Sequence, residues 1–274
     1  MIIVEGAQSV GKTTMIDHLS TFGNTREFKT YKFPYVTYFR EFLKKYDGDT
    51  GDSSRECHHF TTGYDVTLLS MNKVIPMNNL VVDRGFITNI VFSIVENRSD
   101  EDEGFHYIDW LDREGLLKNV SMVYIRRKDE NFTPDRNKDE WEFLHKAAKG
   151  YTEQDKLYTK FIKYTESKGV TVVTIVNEFN PPSLFRFENA VEDLVDGWKP
   201  MSIPAMHPGT LYSVQTVTAH GIATKRADEE LDEELGVYHR ALFDMHKKCF
   251  VVSTRNGLEE IWAANVTRYK LHEI

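Results

Sequence analysis

Short apolar runs separated by longer segments of mixed character make up the first two-thirds of the chain. Most of these runs are rich in valine and isoleucine without polar interruptions, which is typical of strands covered on both faces. We predict five strands, at residues 2–4, 28–33, 80–82, 120–125 and 170–176. The segments between them have room for crossover helices, predicted at residues 36–46, 60–73 and 138–167, and another helix begins near Lys12. This alternation predicts an α/β fold with a doubly wound parallel sheet of five strands.

The pattern changes after Val176. A breaker at residues 180–182 precedes a predicted helix at residues 184–198. Four breaking residues then follow within ten positions: Pro200, Pro204, Pro208 and Gly209. Such a cluster is typical of a connection between compact parts of a chain. We therefore predict two domains, residues 1–198 and residues 199–274.

The second of these domains is predicted to be a small α+β extension. Residues 210–218 alternate between apolar and polar positions like a strand, whereas residues 228–247 have helical spacing and an acidic first turn. Two further strands are predicted at residues 250–254 and 260–269. The Asn256-Gly257 dipeptide between them is typical of a hairpin turn.

Composition narrows the class of protein. Of the 274 residues, 41% are hydrophobic and 28% are charged, so the chain can bury a core and a disordered chain is excluded. The net charge of −8 argues against a protein that coats DNA through charge alone, but it leaves room for a local basic pocket. Cys57 and Cys249 stand far apart, so neither a disulfide scaffold nor a structural zinc site is expected.

No secretory or membrane segment is expected either. Residues 1–4 are too short an apolar run for a signal peptide and have no basic flank. No stretch of the chain approaches the roughly 18 apolar residues that span a bilayer. We therefore expect a soluble, cytoplasmic protein without a membrane partner.

The strongest chemical signal is the run GAQSVGKT at residues 6–13, which matches the pattern G-x-x-x-x-G-K-[ST] between a predicted strand and a predicted helix. Glycines let backbone N–H groups close around phosphate oxygens, and the helix directs its positive end at them. Lys12 is placed to hold the β- and γ-phosphates, and the Thr13 hydroxyl to join a Mg²⁺ shell. The predicted nucleotide-binding residues are Gly6, Ser9, Val10, Gly11, Lys12, Thr13 and Thr14.

A second signal ends the third predicted strand, where residues 80–85 are LVVDRG. Ligands of open α/β sheets lie beyond the carboxyl ends of the strands, so Asp83 and Arg84 should face the same crevice as the loop. The carboxylate can orient a Mg²⁺-bound water or accept a hydrogen bond from a substrate hydroxyl. The guanidinium can hold an anionic acceptor or the phosphoryl group during transfer.

In their order along the chain, these pieces resemble those of thymidylate kinases and related deoxynucleoside kinases. The resemblance is carried by residues 4–14, by Phe33-Pro34, by Asp83-Arg84, and by Asp135-Arg136 before a helix ending at residues 149–151. It covers residues 1–198 and leaves the extension unrecognised. It implies a sheet in the order 2-3-1-4-5, ATP as donor, Mg²⁺ as cofactor and, as in many of these kinases, a homodimer.

The resemblance also implies individual roles. Phe33 would form an aromatic wall against the acceptor base. A lid between the fourth and fifth strands would bring cations over the γ-phosphate and exclude water. Arg126 ends the fourth strand on the ligand side, and Arg136 matches the lid motif of the family. The predicted catalytic residues are therefore Lys12, Asp83, Arg84, Arg126 and Arg136.

Two departures from the family pattern concern the acceptor. Tyr35 and Asp65 stand where the family usually has arginines that hold the acceptor phosphate, and Arg40 is a candidate substitute. Such a site would suit a hydroxyl on a larger or less charged acceptor. The predicted acceptor-binding residues are Phe33, Arg40, Asp83 and Arg84, and the predicted metal-binding residues are Thr13 and Asp83.

Three hypotheses follow for the function. The first is Mg²⁺-dependent transfer of phosphate from ATP to a pyrimidine deoxynucleotide, a small-molecule acceptor. The second changes the acceptor to a hydroxymethyl pyrimidine within DNA, although the acidic extension argues against extended DNA binding. The third is an NTP-driven switch or assembly protein, which would have no use for an acceptor wall at Phe33-Pro34.

Overall fold

The computed structural model describes residues 1–22, 28–128, 151–201, 203, 206–207, 209–216, 236–254 and 257–271. The chain divides into two compact units, Met1–Glu192 and Asp193–Ile274. None of the helices in the described ranges is long and apolar enough to cross a membrane. Each unit contains one cysteine, Cys57 in the first and Cys249 in the second, and both thiols are free and buried.

The first unit is built on a parallel sheet of five strands. These are β1 (Ile2–Glu5), β2 (Lys29–Lys32), β3 (Leu80–Asp83), β4 (Ser121–Arg127) and β5 (Thr171–Asn177). Their order is β2-β3-β1-β4-β5, and every neighbouring pair is parallel. Strand β1 is central in the sheet and is buried along its whole length. The predicted fold class and strand order are confirmed.

Seven α-helices lie in the described ranges, and the last of them ends three residues beyond the first unit. They are α1 (Lys12–Phe22), α2 (Tyr35–Lys45), α3 (Thr50–Val74), α4 (Phe86–Val95), α5 (Glu101–Arg113), α6 (Tyr151–Ser167) and α7 (Pro181–Val195). Helix α3 begins ten residues before the predicted start because Asp49 caps it by accepting from the Asp52 amide. Helices α4 and α5 were not predicted, and residues 138–150 of the third predicted crossover helix lie outside the described ranges.

The second unit contains an antiparallel sheet of six strands. These are β6 (Lys199–Pro200), β7 (Leu211–Thr216), β8 (Val237–Asp244), β9 (Cys249–Thr254), β10 (Gly257–Trp262) and β11 (Val266–Leu271). Their order is β10-β9-β8-β7-β11-β6. Buried aromatic residues, among them Tyr212, Phe243 and Phe250, form its core. The predicted hairpin is confirmed, since β9 and β10 pair from Thr254 to Gly257 onward.

The helix predicted at residues 228–247 is wrong over the part that the structure describes. Residues 237–244 form strand β8, in which Ala241 and Phe243 are buried in the core while Arg240 and Leu242 are exposed. This alternation has the period of a strand. Residues 217–235 lie outside the described ranges. The strand predicted at residues 260–269 is in fact the end of β10, a short 3₁₀ turn and part of β11.

Candidate active site

A cavity of about 640 Å³ lies in the first unit at the carboxyl ends of β1, β2 and β3. Polar groups from the phosphate loop, from β2 and from β3 line one part of it: Gln8, Ser9, Gly11, Lys12, Thr13, Thr14, Lys32, Asp83 and Arg84. The β2–α2 connection and helices α2, α3 and α4, the last with its N-cap Gly85, supply the remaining wall: Phe33, Pro34, Tyr35, Thr37, His58, Thr61, Gly85, Thr88, Asn89 and Phe92. The structure thus brings the loop and the Asp83-Arg84 pair to one cavity, as the strand ends predict.

Two glycines give the loop between β1 and α1 its shape. Gly6 has a φ of +147°, and a Cβ atom there would lie 2.3 Å from the Ile125 carbonyl oxygen. Gly11 has a φ of +88°, and its Cβ would lie 2.5 Å from Asn177 Nδ2. Asn177 Nδ2 in turn donates to the Val10 carbonyl at 2.8 Å. Larger residues at either glycine would force the loop away from β4 and β5.

Lys12 is the buried cation of this loop. It is 4% exposed, and its Nζ donates to the Gly6 carbonyl at 2.6 Å and to the Ala7 carbonyl at 2.7 Å. Burial lowers the pKa of Lys12 well below its ordinary value, and the nearby Arg84 lowers it further, whereas Asp83 opposes the shift. A cation held in this way favours an anion beside the loop, since the anion restores the charge balance.

The other predicted loop residues differ in what they offer to a ligand. Ser9 adopts a φ of +63°, and its buried hydroxyl has no hydrogen-bond partner in the described part of the chain. Val10 packs in the core, so only its backbone can serve the loop. Thr14 lines the cavity from the first turn of α1 and is exposed.

Asp83 and Thr13 meet where the loop faces the end of β3. The Thr13 hydroxyl donates to Asp83 Oδ2 at 2.9 Å, and Lys32 Nζ lies 3.6 Å from the same oxygen. Asp83 Oδ1 is buried without a hydrogen-bond partner in the described ranges. These ranges hold no group of three or more His, Cys, Asp or Glu that could bind a metal. Mg²⁺ often takes only one or two protein ligands beside phosphate oxygens and water, so Thr13 and Asp83 fit this ion.

Arg84 sits in a strained turn after β3. Its φ is +74°, and its amide donates to the Val4 carbonyl at 3.0 Å. Its guanidinium carbon lies 5.7 Å from the centre of the Phe92 ring, at the cavity wall. The turn therefore directs the guanidinium into the cavity rather than along the sheet edge.

Glu5 accepts hydrogen bonds from the turn after β3 and from the start of α4. It was not predicted as a site residue. Its carboxylate accepts from the Gly85 amide at 3.0 Å, from the Thr88 amide at 3.3 Å and from the Thr88 hydroxyl at 2.5 Å. Burial raises the pKa of Glu5, although the hydrogen bonds from Thr88 oppose the shift. An acidic residue at the end of an otherwise apolar strand was the available signal in the sequence.

Aromatic rings surround Phe33 on the acceptor side of the cavity. The Phe33 ring centre lies 5.4 Å from that of Tyr38 in a stacked arrangement and 5.2 Å from that of Tyr64 in an edge arrangement. Tyr35, which stands where the family usually has an arginine, packs edge-on against His58 at 5.5 Å. This side of the cavity therefore offers flat apolar surface for stacking.

Asp65, the second departure from the family pattern, is a buried carboxyl behind this wall. It is 7% exposed, and Asn89 Nδ2 donates to its Oδ2 at 2.5 Å. Burial raises the pKa of Asp65 well above its ordinary value, and the Glu5 carboxyl raises it further. Asp65 therefore positions the Asn89 amide at the cavity wall instead of binding a phosphate.

Two predicted arginines, Arg126 and Arg40, lie outside this cavity, and the structure does not describe the third. Arg126 Nε lies 3.2 Å and 3.1 Å from the two carboxylate oxygens of Asp155, and Tyr124 donates to the same carboxylate at 2.6 Å. Arg40 is exposed on α2, and neither it nor Arg126 is among the cavity-lining residues in the described ranges. Arg136 lies outside those ranges. The roles of all three arginines stay predictions.

Arg127 reaches the phosphate loop although Arg126 does not. Its Nη1 donates to the Ser9 carbonyl at 3.3 Å, and its guanidinium lies 4.4 Å from the centre of the exposed Phe179 ring. Consecutive strand residues point to opposite faces, so only one of two adjacent arginines can turn toward the loop. The sequence predicted Arg126 as a site residue and did not single out Arg127.

The chain matches no family model and no curated protein. It is similar to the solved structure of deoxyadenosine kinase from M. mycoides with bound dATP, at 18% identity over 70% of this chain and 97% of that chain, with a TM-score of 0.48. It is also similar to the structure of the M. mycoides deoxyadenosine kinase with bound dCTP, at 16% identity over 70% of this chain and 100% of that chain, with a TM-score of 0.40. The strand order, and not these similarities, supports the fold assignment.

Proposed function

We propose that the first unit transfers the γ-phosphate of ATP, with Mg²⁺, to a pyrimidine deoxynucleotide or the corresponding deoxynucleoside. One observation carries the proposal: the phosphate loop and the Asp83-Arg84 pair face one cavity, with Thr13 and Asp83 in hydrogen-bond contact at 2.9 Å. A cavity with both a phosphate-binding side and an aromatic side suits a reaction between two nucleotide-like molecules.

The donor side would act mainly by position and charge. Backbone N–H groups of the loop and Lys12 would hold the β- and γ-phosphates, and Thr13 and Asp83 would hold Mg²⁺. When bound, the ion neutralises charge on the phosphate oxygens. Arg127 lies against the loop at Ser9, and the Phe179 ring beneath its guanidinium is a surface on which the donor base can stack.

The acceptor side would orient the attacking oxygen. Phe33 offers a ring for the acceptor base, and Asp83 Oδ1 can accept a hydrogen bond from the acceptor hydroxyl. Arg84 would neutralise the phosphoryl group during transfer, which is where a bidentate cation has its largest effect. Tyr35 and Asp65 provide no cation for the phosphate of a monophosphate acceptor. The proposal therefore includes the deoxynucleoside as an acceptor as well as its monophosphate.

The test is a transfer assay with labelled ATP and a panel of deoxynucleosides, deoxynucleoside monophosphates and hydroxymethyl pyrimidine oligonucleotides. We expect Mg²⁺-dependent label transfer to at least one pyrimidine acceptor, and loss of transfer by about three orders of magnitude in Lys12→Ala, because the loop loses its cation. Lys163→Ala, which removes an exposed lysine of α6, is the matched control. ATP hydrolysis that no acceptor stimulates would overturn the proposal in favour of an NTP-driven switch.

A further inference from the structure

The segment of residues 28–45 differs in charge from the rest of the chain. Its eighteen residues include seven aromatic side chains, five Lys or Arg and one acidic residue, Glu41, so its net charge is 5 − 1 = +4 in a chain of −8. The segment contains β2 and α2, and residues 32–35 line the cavity. A basic, aromatic segment therefore borders the acceptor side of the site.

Five rings form a continuous aromatic row beside the cavity, made of Tyr64, Phe33, Tyr38, Phe60 and Phe42. Successive ring centres lie 5.2, 5.4, 5.6 and 5.5 Å apart. Phe33 belongs to the cavity wall, and the row continues from it along α2 and α3. The row is thus longer than one base needs for stacking.

Two rings of the row are open to solvent. Phe60 is 45% exposed and Tyr64 is 41% exposed, whereas rings that only fill a core are buried. They stand four residues apart on α3, about 6 Å along the helix, and therefore on one face. That spacing places two exposed rings where two successive nucleotides of an extended strand can reach them.

The segment of residues 28–45 supplies exposed cations, one of which lies against a ring of the row. Lys29, Lys32 and Lys44 are exposed, and Lys45 Nζ lies 5.7 Å from the Phe42 ring centre and 3.8 Å from the Glu56 carboxylate. Aromatic side chains interleaved with cations are the combination that binds single-stranded nucleic acids, since bases stack on the rings while phosphates meet the charges.

We propose that the aromatic row and its cations bind single-stranded DNA, so that the acceptor is a nucleotide within a strand and its neighbours stack on Phe60 and Tyr64. The inference rests on the proposed function, because it assigns the acceptor of the same site. It also reconciles an acidic chain with a DNA substrate, since residues 28–45 carry a net charge of +4 within a chain of −8.

The first experiment measures binding without ATP, by fluorescence anisotropy of a labelled single strand of about 12 deoxythymidines and the full chain. We expect the logarithm of the affinity to fall with the logarithm of the salt concentration with a slope of about −2, as for three phosphate contacts. Absence of binding at about 50 mM salt would overturn the inference, and so would tighter binding to the matching RNA strand.

The second experiment removes the exposed rings. The Phe60→Leu, Tyr64→Leu double variant keeps apolar volume but has no ring to stack, so affinity should fall at least about fivefold per ring. Phe185→Leu, which removes a ring that is 57% exposed on α7, should bind like the wild type. Lys44→Gln should flatten the salt slope, and Lys163→Gln should leave it unchanged. Equal losses in the row and control variants would contradict the inference.

Binding and transfer separate the two proposals. An oligonucleotide that binds with the expected dependence on Phe60 and Tyr64, in a protein that phosphorylates no acceptor, supports the binding surface and overturns the proposed function. Transfer to a free deoxynucleotide without oligonucleotide binding supports the function and overturns the inference. Transfer to an oligonucleotide that is lost in the double leucine variant supports the inference and the phosphoryl transfer of the proposed function, with an acceptor in a strand in place of a free one.

Discussion

The phosphate loop and the acceptor wall line one cavity, but they are encoded in different ways. The loop comes from eight consecutive residues, 6–13, and its shape depends on Gly6 and Gly11. The acceptor wall draws residues from four separate elements, between Phe33 in the β2–α2 connection and Phe92 in α4. A shared chemical step thus needs only a local motif, whereas the choice of acceptor depends on contacts between distant parts of the chain.

The two sides also differ in what fixes them. Backbone conformation fixes the loop, since a Cβ at either glycine would overlap a neighbouring strand or side chain. Buried carboxyls fix the acceptor side: Glu5 holds the turn at Arg84, and Asp65 holds the Asn89 amide. Substitutions on the acceptor side should therefore alter specificity and pH response before they destroy the fold.

Arg84, which stands between the two sides, should show the largest effect in this comparison. Arg84→Gly removes the guanidinium and also relieves the positive φ, so any loss reflects the side chain and not strain. We expect kcat to fall by about 10²–10³-fold with the fold intact, as when one transition-state hydrogen-bond donor is removed. Circular dichroism would measure the fold, and steady-state kinetics would measure kcat. The control variant is Arg113→Ala, because a glycine at this position is unfavourable inside helix α5.

A loss of less than about threefold in Arg84→Gly would mean that the guanidinium only packs against Phe92. In that case the phosphate loop alone would act on the transferred phosphoryl group, and Arg84 would have no direct role in the chemical step.

Phe33 should affect the acceptor side alone. Phe33→Ala removes the stacking ring and should raise the acceptor KM by about 5–150-fold, which corresponds to about 1–3 kcal/mol, while the KM for ATP stays within about twofold. Phe33→Tyr keeps the ring and is the matched control. A rise of equal size in both KM values would show that the two sides of the cavity are not independent.

Asp65 should show the smallest effect, on the pH dependence of stability. The pKa of Asp65 is higher in the folded than in the unfolded chain. The contribution of Asp65 to the unfolding free energy is therefore fully present below the ordinary pKa near 3.8, and it is lost as pH rises toward the pKa of the folded state. Asp65→Asn removes this titration while keeping an acceptor for Asn89. Relative to the wild type, the variant should gain about 1 kcal/mol in unfolding free energy between pH 5 and pH 7, measured by urea denaturation. Parallel pH profiles would show that Asp65 is ionised in the folded state.

Much of the first unit follows from local patterns. Apolar runs predict the strands, and the motif at residues 6–13 predicts the loop, because both depend on neighbours in sequence. Asp83 and Arg84 are predicted because strand ends share one edge of a parallel sheet. These inferences need no knowledge of which distant side chains meet.

The rest depends on long-range contacts that no local pattern reveals. Arg126 is paired with Asp155, 29 residues away, whereas the adjacent Arg127 turns to the loop. Glu5 supports a turn 80 residues away. In the second unit, Val237, Tyr238, Ala241 and Leu242 mimic helical spacing, but pairing with β7 and β9 makes the segment a strand. Tertiary pairing overrides a weak local period in such cases.

Each unit contains one buried cysteine, so the reactivity of that thiol depends on the opening of the unit. Cys57 and Cys249 are both 0% exposed, and burial raises the pKa of Cys57 to about 12, so neither thiol is presented to a reagent in solution while its unit stays folded. Modification by a thiol reagent therefore requires local or global opening, and mass spectrometry assigns each adduct to one unit. The chain thus carries one intrinsic probe of unfolding kinetics in each unit, without any engineered label.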